Sequence, residues 1–176
     1  MRYAAFLRAV NLGRNRRVSG AELRAIFEKL GLEDVASFRT SGNLVFEAPR
    51  DMTAQIEKAL ESELGYDVGV YLRTAAELRE IASHDPFKPA ETKASKGKLQ
   101  VSLLSDKPTA AKRKQVLALA TDQDRLAFGK RELYWLPSGG TMESELDRKA
   151  IDALVGPTTM RTKGTVEQLA AKYFAT

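Results

Sequence analysis

The sequence predicts an α+β protein, in which helices pack against antiparallel sheets. Two observations predict this class: short apolar runs of strand length alternate with amphipathic helical patterns, and the same order of elements occurs twice along the chain. The 176 residues have a globular composition, with 43% hydrophobic and 29% charged residues. No apolar run approaches the roughly 18 residues that span a bilayer, and no signal peptide follows Met1, so we expect a cytoplasmic protein that contacts no membrane.

The first half of the sequence predicts four strands and three helices. The strands are expected at residues 3–10, 35–39, 44–47 and 68–73. The first helix opens with a capping box at Ser19 and ends at Gly31, and the second helix ends at Gly65. Residues 40–43, Thr-Ser-Gly-Asn, join the middle two strands as a hairpin. A second capping box at Thr74 opens the third helix, so the order is βαββαβ followed by a helix.

The second half predicts the same order of elements. Its strands are expected at residues 99–104, 125–128, 133–136 and 157–161. Its helices are expected over residues 110–120, from near Ser144, and from a cap at Thr165. We interpret this repeat as two ferredoxin-like βαββαβ halves, each followed by a helix. The polar, lysine-rich residues 88–97 are the predicted linker, which places the two domains at residues 1–87 and 98–176.

All of the excess positive charge lies at the start of the sequence. Residues 1–20 hold no acidic residue and five of the 28 basic ones: Arg2, Arg8, Arg14, Arg16 and Arg17. The remaining 23 basic residues match the 23 acidic ones, so the rest of the chain is neutral overall. One basic segment in a neutral protein indicates a local anion site or a solvated turn, rather than a broad nucleic-acid surface.

Topology places this basic segment beside the predicted hairpin. The first two strands of a βαββαβ unit run parallel, because the intervening helix returns the chain. The loop that leaves the first strand is therefore expected at the same end of the sheet as the hairpin, next to the amino end of the first helix. Together with the helix amides, nine residues form the candidate anion site: Asn11, Gly13, Arg14, Asn15, Arg16, Arg17, Ser41, Gly42 and Asn43. The alternative is that the arginines only solvate a loop and that Ser-Gly-Asn only forms a good turn.

Three segments of the sequence carry a resemblance to a known family. Residues 6–13, Phe-Leu-Arg-Ala-Val-Asn-Leu-Gly, residues 41–46, Ser-Gly-Asn-Leu-Val-Phe, and residues 70–74, Val-Tyr-Leu-Arg-Thr, resemble motifs of the bacterial family called domain of unknown function 1697. The resemblance extends over nearly the whole chain, and it implies two related α/β halves without an established activity, cofactor or substrate. Ala9 stands where glycine is common in that family, and Lys163 stands where the family has a closing tryptophan.

Two functions from different classes fit these residues. The first is a binding module for an anionic partner, either a phosphate-bearing small molecule or nucleic acid. The second is an enzyme that uses four polar side chains of the same cleft: Asn11, Asn15, Ser41 and Asn43. His84 is the only histidine and cysteine is absent, so the sequence marks no nucleophile with an adjacent base. No motif predicts a cofactor or a metal site, and a third interpretation is that the sheets mediate a homodimer.

Other motifs have structural interpretations. Residues 122–124, Asp-Gln-Asp, lack the glycine and the distal glutamate of a calcium loop and therefore predict a turn. Gly139 and Gly140 predict a loop that could hold an anion but more often only connects two elements. Tyr134 and Trp135 are neighbours on a predicted strand, so one is expected to face the core and the other solvent.

Overall fold

The structure is a computed structural model that describes residues 1–10, 17–39 and 42–175. These residues form an α+β arrangement with two four-stranded antiparallel sheets and seven α-helices. The strands are β1 Arg2–Arg8, β2 Glu33–Ser37, β3 Asn43–Glu47, β4 Gly69–Thr74, β5 Gln100–Leu104, β6 Asp124–Phe128, β7 Glu132–Pro137 and β8 Thr158–Thr162. The helices are α1 Gly20–Lys29, α2 Thr53–Leu64, α3 Ala75–Ser83, α4 Pro89–Ala94, α5 Ala110–Leu117, α6 Arg148–Val155 and α7 Lys163–Tyr173. Among the described helices, none has the length and apolar character needed to cross a membrane.

The described residues divide into two compact units that nearly follow the repeat in the sequence. The first unit contains the chain up to Arg79 and again from Leu169 onward, and the second contains residues 80–168. The division falls inside α3 and inside α7, the helices that close the two repeats. Residues 88–97, the expected linker, contain helix α4, whose first residue Pro89 is of the type favoured at that position. The predicted domain boundaries stay a prediction.

The sheet of the first unit has the strand order β2-β3-β1-β4. β1 pairs antiparallel with both of its neighbours, so that Ala4 lies opposite Val45 on β3 and opposite Arg73 on β4. β2 pairs antiparallel with β3, with Ser37 opposite Leu44. Because β1 and β2 both run antiparallel to β3, their carboxyl ends lie at the same end of the sheet, as the sequence predicts.

Both faces of the central strands β1 and β3 are buried. On one face, the sheet packs in a single apolar cluster with side chains from α1 and α2: Leu23, Ile26, Phe27, Ile56 and Leu60. Within this cluster Phe27 meets Phe46 edge-on, with 5.5 Å between the ring centroids. On the other face Ala4, Phe6 and Val45 are also fully buried. This burial explains why the two strands are continuous apolar runs rather than alternating patterns.

The sheet of the second unit has the equivalent strand order, β6-β7-β5-β8. One apolar cluster of this unit contains Leu104, Val116, Leu133, Trp135, Leu146 and Ile151. Every residue of β7 is buried, and Tyr134 and Trp135 are only 1% and 3% exposed. The expectation that one of these two rings faces solvent is therefore wrong, because a central strand covered on both faces buries successive side chains.

Two helices of the second unit begin at residues other than the predicted ones. α6 begins after Asp147, whose carboxylate accepts the amide of Ala150 at 3.0 Å, whereas Ser144 donates its hydroxyl to a buried carboxylate elsewhere in the unit. α7 begins directly after β8, where Thr162 Oγ1 accepts the amide of Thr165 at 3.2 Å. Each helix thus begins next to a side chain that satisfies one of its first amides.

Candidate functional site

The hairpin between β2 and β3 is closed by Phe38 and Asn43. The amide of Phe38 donates to the carbonyl oxygen of Asn43 at 2.8 Å, and Asn43 Nδ2 donates to the carbonyl oxygen of Phe38 at 3.1 Å. The side chain of Asn43 is almost fully buried. It therefore stabilises the hairpin from inside instead of facing solvent.

The end of β1 is in direct contact with this hairpin. The amide of Leu7 donates to the carbonyl oxygen of Gly42 at 2.9 Å. A Cβ atom built on Gly42 would lie 3.0 Å from Val10 Cγ1 and 3.1 Å from Leu7 Cβ, so the hairpin packs closely against these two side chains and a larger residue would require them to shift. Tyr66 donates its hydroxyl to the carbonyl oxygen of Val10 at 2.7 Å and so holds the end of this segment. We call these described residues, 7–10, 38–39 and 42–43, the hairpin end of the first sheet.

The start of α1 also lies beside the hairpin end. A Cβ atom on Gly20 would be 2.7 Å from Ser37 Oγ, which places the first residue of α1 against the last residue of β2. The amide of Glu22 donates to Ser19 Oγ and the amide of Leu23 donates to the Ser19 carbonyl oxygen, each at 3.1 Å. These two amides are thus satisfied within the helix cap, and the carboxylate of Glu22 lies in the first turn. The start of α1 therefore has fewer amides available to a ligand, and its first turn carries a negative charge.

Three residues of the hairpin end have a left-handed backbone. The φ angle is 62° at Ala9, 60° at Arg39 and 75° at Gly42. A residue with a side chain loses about 1–2 kcal/mol in this conformation relative to glycine, because its Cβ approaches the following carbonyl oxygen. Among the described residues only one other non-glycine residue, Asp34, has a positive φ angle. Backbone strain of this kind concentrates at functional sites more than elsewhere in proteins.

We expect Ala9→Gly to raise the free energy of unfolding by about 0.5–1 kcal/mol, measured by urea denaturation. Glycine removes the strain of the left-handed conformation, and its greater chain entropy offsets only part of that gain. Ala59→Gly inside α2 is the matched control, because the same change in a regular helix should destabilise by about 1 kcal/mol. A loss of stability in both variants would contradict strain at Ala9.

The structure describes three of the nine predicted site residues. Arg17 is exposed just before the Ser19 cap of α1, while Gly42 and Asn43 belong to the hairpin. The other six lie outside the described residues: Asn11, Gly13, Arg14, Asn15, Arg16 and Ser41. A role in ligand binding stays a prediction for all nine. Arg39, which sequence reasoning did not single out, is exposed at the same hairpin, and its position directly before the Thr-Ser-Gly-Asn turn was the available signal.

The second unit has a surface cavity of about 570 Å³ beside the loop that follows β7. The ionisable groups that line it are all carboxylates: Asp122, Asp124, Glu143 and Glu145. Among residues 1–10, 17–39 and 42–175, no group of three histidine, cysteine, aspartate or glutamate side chains is arranged to hold a metal ion. Because the carboxylates repel anions, the interpretation of Gly139 and Gly140 as an anion loop has no support here.

Asp124 is the acceptor for three side chains of the second unit. Trp135 Nε1 donates to Oδ1 at 2.9 Å, Ser144 Oγ donates to Oδ1 at 2.6 Å, and Thr121 Oγ1 donates to Oδ2 at 2.8 Å. Burial by itself raises the pKa of this carboxyl, but the hydrogen bonds from Ser144, Trp135 and Thr121 together outweigh it, so the pKa is lowered from 3.8. Asp124 is therefore a charged structural group that joins the predicted turn, now observed at residues 122–123, to β7.

Lys163 has a structural role at the start of α7. Its ammonium group donates to the carbonyl oxygen of Ala82 at 3.0 Å and to Glu167 Oε1 at 2.8 Å, and the residue is 3% exposed. A buried lysine is stable only when it is paired in this way. Lys163 thus joins α7 to the last turn of α3 within the second unit.

Comparison with known proteins identifies a family and a shared fold. A family described as "Protein of unknown function (DUF1697)" matches residues 1–134. The conserved bacterial protein SP0830 from Streptococcus pneumoniae has a similar structure, with a TM-score of 0.65, 22% sequence identity and 97% of each chain covered; at this identity the likeness shows the fold alone. No curated protein matches the sequence. Since the family match covers more than half of the chain, the protein belongs to the family of unknown function DUF1697.

Proposed function

We propose that the protein binds a phosphate-bearing ligand at the hairpin end of the first sheet. The observation that carries this proposal is the contact of acid-free segments within the first unit. Residues 1–20, 35–46 and 168–176 contain no aspartate or glutamate. The hydrogen bond from Leu7 to Gly42 joins the first two segments. Arg2 Nη1 donates to the carbonyl oxygen of Tyr173 at 3.2 Å, which joins the first segment to the third.

The charges of these segments favour an anion. They hold seven basic side chains: Arg2, Arg8, Arg14, Arg16, Arg17, Arg39 and Lys172. Of these, Arg17, Arg39 and Lys172 are exposed among the described residues. A guanidinium group presents paired N–H donors that match two phosphate oxygens, and bonds between charged partners are roughly twice as strong as neutral ones. Several basic side chains in one unit also attract an anionic ligand before contact.

The remaining predicted site residues are included in the proposal because of where they lie in the sequence. Residues 11–16 connect Val10 to Arg17, and residues 40–41 connect Arg39 to Gly42. All four of the flanking residues belong to the described part of the chain. Asn11, Gly13, Asn15 and Ser41 are therefore proposed as polar partners of the phosphate, and the arginines as the groups that neutralise it.

Titration with inorganic phosphate and pyrophosphate tests this proposal. Isothermal titration calorimetry at low and high salt should show binding to the wild type that weakens as salt screens the charges. Arg17→Ala/Arg39→Ala should lower the affinity at least about tenfold, since two charge-assisted contacts are lost. The control Arg24→Ala/Arg50→Ala removes the same charge from two exposed arginines elsewhere in the first unit. An equal loss in the control, or no binding by the wild type, would reject the site.

The alternative of an enzyme in the same cleft has less support. Of its four polar groups, Asn11, Asn15 and Ser41 lie outside the described residues, and Asn43 uses its side chain to close the hairpin. A buried amide that already bonds to the main chain is poorly placed to orient a substrate. Binding of a phosphate-bearing ligand is therefore the function we propose.

The fold supports a further structural proposal, that each half is ferredoxin-like. Four antiparallel strands with the fourth beside the first and the third between the first and second are the arrangement expected for this motif. Both sheets have this order, and the sequence contains the βαββαβ succession in both halves.

A further inference from the structure

Two aromatic rings from opposite ends of the sequence meet beside the proposed phosphate site. Phe38 at the base of the hairpin and Tyr173 at the end of α7 pack edge to face, with 6.2 Å between the ring centroids and 87° between the planes. Both side chains are half-buried, so part of each ring reaches solvent. Both belong to the first unit.

Two exposed cations lie over these rings. The Arg39 guanidinium carbon is 5.3 Å from the centroid of Phe38. Lys172 Nζ is 6.0 Å from the centroid of Phe38 and 5.2 Å from that of Tyr173. Three contacts of this kind therefore converge on one ring pair. We call Phe38, Arg39, Lys172 and Tyr173 the aromatic–cation patch.

The patch is held in place by contacts to the main chain. Arg2 donates to the carbonyl oxygen of Tyr173, and Arg79 Nη1 donates to the carbonyl oxygen of Phe174 at 3.3 Å. Two guanidinium groups thus satisfy carbonyls at the end of α7, where cations suit the helix dipole. The ring of Phe174 is buried and anchors the same turn. The end of α7 that carries Tyr173 is consequently preorganised, so a ligand would lose little free energy in ordering it.

We propose that the aromatic–cation patch binds a nucleobase, so that the ligand of the hairpin end is a nucleoside phosphate. This inference rests on the phosphate site proposed above and names its ligand class. Half-exposed rings and a guanidinium plane offer stacking surfaces that any base can use, and neighbouring cations attract its phosphate. Phe38 and Arg39 are consecutive, which places the base surface directly beside the phosphate-binding hairpin.

A protein partner fits the patch less well. Recognition of an apolar peptide or helix needs a contiguous apolar surface of several hundred Å². Among the described residues, the large apolar side chains that are well exposed are Met1, Leu117 and Met142, and none of them belongs to the patch. The patch instead combines aromatic faces with positive charge in acid-free stretches of sequence. Nucleotides and single-stranded nucleic acid both bind to surfaces of this kind.

Calorimetry on the full chain with matched ligands tests the base subsite. Adenosine 5′-monophosphate should bind at least about tenfold more tightly than ribose 5-phosphate, because only the first carries a base that can stack. Phe38→Leu and Tyr173→Leu should each remove most of that advantage and leave the affinity for ribose 5-phosphate within about twofold. Phe38→Tyr keeps an aromatic face and should retain the advantage. Phe128→Leu is the control, since Phe128 also lies under an arginine, at 5.0 Å, but in the second unit.

Binding of a single-stranded oligoadenylate distinguishes nucleic acid from a free nucleotide as the ligand. Tighter binding than the mononucleotide, with a steep decrease at high salt, would support the inference with nucleic acid as the ligand. Equal or weaker binding would support it with a free nucleotide as the ligand. Equal affinity for adenosine 5′-monophosphate and ribose 5-phosphate would overturn the base subsite but leave the phosphate site intact. If neither these ligands nor phosphate binds, both proposals are rejected.

Discussion

Gly42→Ala should lower the free energy of unfolding by about 2–4 kcal/mol. The φ angle of 75° at Gly42 disfavours any residue with a Cβ by about 1–2 kcal/mol. The new Cβ would also lie 3.0 Å from Val10 and 3.1 Å from Leu7 in a close-packed region, and such overpacking adds about 1–3 kcal/mol. Urea denaturation followed by circular dichroism would measure the change.

Gly65→Ala is the matched control for this prediction. Gly65 ends α2 with a φ angle of 81°, but a Cβ added there would meet no atom within 4 Å. Alanine at this position should therefore cost only the backbone strain of about 1–2 kcal/mol. The difference between the two variants measures how tightly β1 and the hairpin approach each other, and two equal values would show that this approach is loose.

The second large effect is expected for Asp124→Ala, which should destabilise by about 3–4 kcal/mol at neutral pH. The change removes a charged acceptor and leaves Trp135 Nε1 and two hydroxyl groups without their partner. Hydrogen bonds to charged groups contribute about 1.5–3 kcal/mol each, but contributions within one network do not add, and single substitutions rarely exceed about 4–5 kcal/mol. Asp122→Asn, at an exposed neighbour in the same turn, should change stability by no more than about 0.5 kcal/mol.

The same residue predicts a pH dependence with a defined sign. The pKa of Asp124 is lowered from 3.8 in the folded protein, so the folded state favours the charged form. Its stabilising contribution is fully present above pH values near 3.8 and decreases as the pH falls from there towards the folded pKa. The stability difference between wild type and Asp124→Ala should therefore shrink below about pH 4. A difference that stays constant down to pH 2 would contradict this linkage.

Most elements could be predicted because their signals are local. The capping box at Ser19 and the glycine at position 65 act through side-chain and backbone contacts within four residues, and both mark helix ends in the structure. Thr74 likewise caps α3, with Thr74 Oγ1 accepting the amide of Glu77 at 3.2 Å. Apolar runs identified the strands, since their central members are buried whichever face they occupy.

Predictions were wrong where contacts with residues distant in the sequence determined the local structure. Ser144 is a good capping residue by type, but its hydroxyl bonds to Asp124, and the helix begins four residues later at Arg148. Burial of both Tyr134 and Trp135 depends on what covers each face of the sheet, which a single strand does not encode.

The candidate site was predictable only in part. The strand directions alone predicted that the end of β1 lies beside the hairpin, and the hydrogen bond from Leu7 to Gly42 agrees with this prediction. The aromatic–cation patch could not be foreseen, because it joins Phe38 to Tyr173 near the other end of the sequence. The absence of acids from residues 168–176 was the one signal in the sequence that could have drawn attention to that segment.

The hydrogen bonds at the end of α7 also determine when the first unit can complete its contacts during synthesis. The first unit is formed mostly by residues 1–79, yet Tyr173 and Phe174, which Arg2 and Arg79 hold, follow residues 80–168 of the second unit in the chain. Domains generally fold as they emerge from the ribosome, beginning with the amino-terminal one. Here the amino-terminal unit completes its contacts only after the second unit has been translated. A nascent chain that has not yet reached Tyr173 therefore lacks the aromatic–cation patch and the nucleobase site proposed for it.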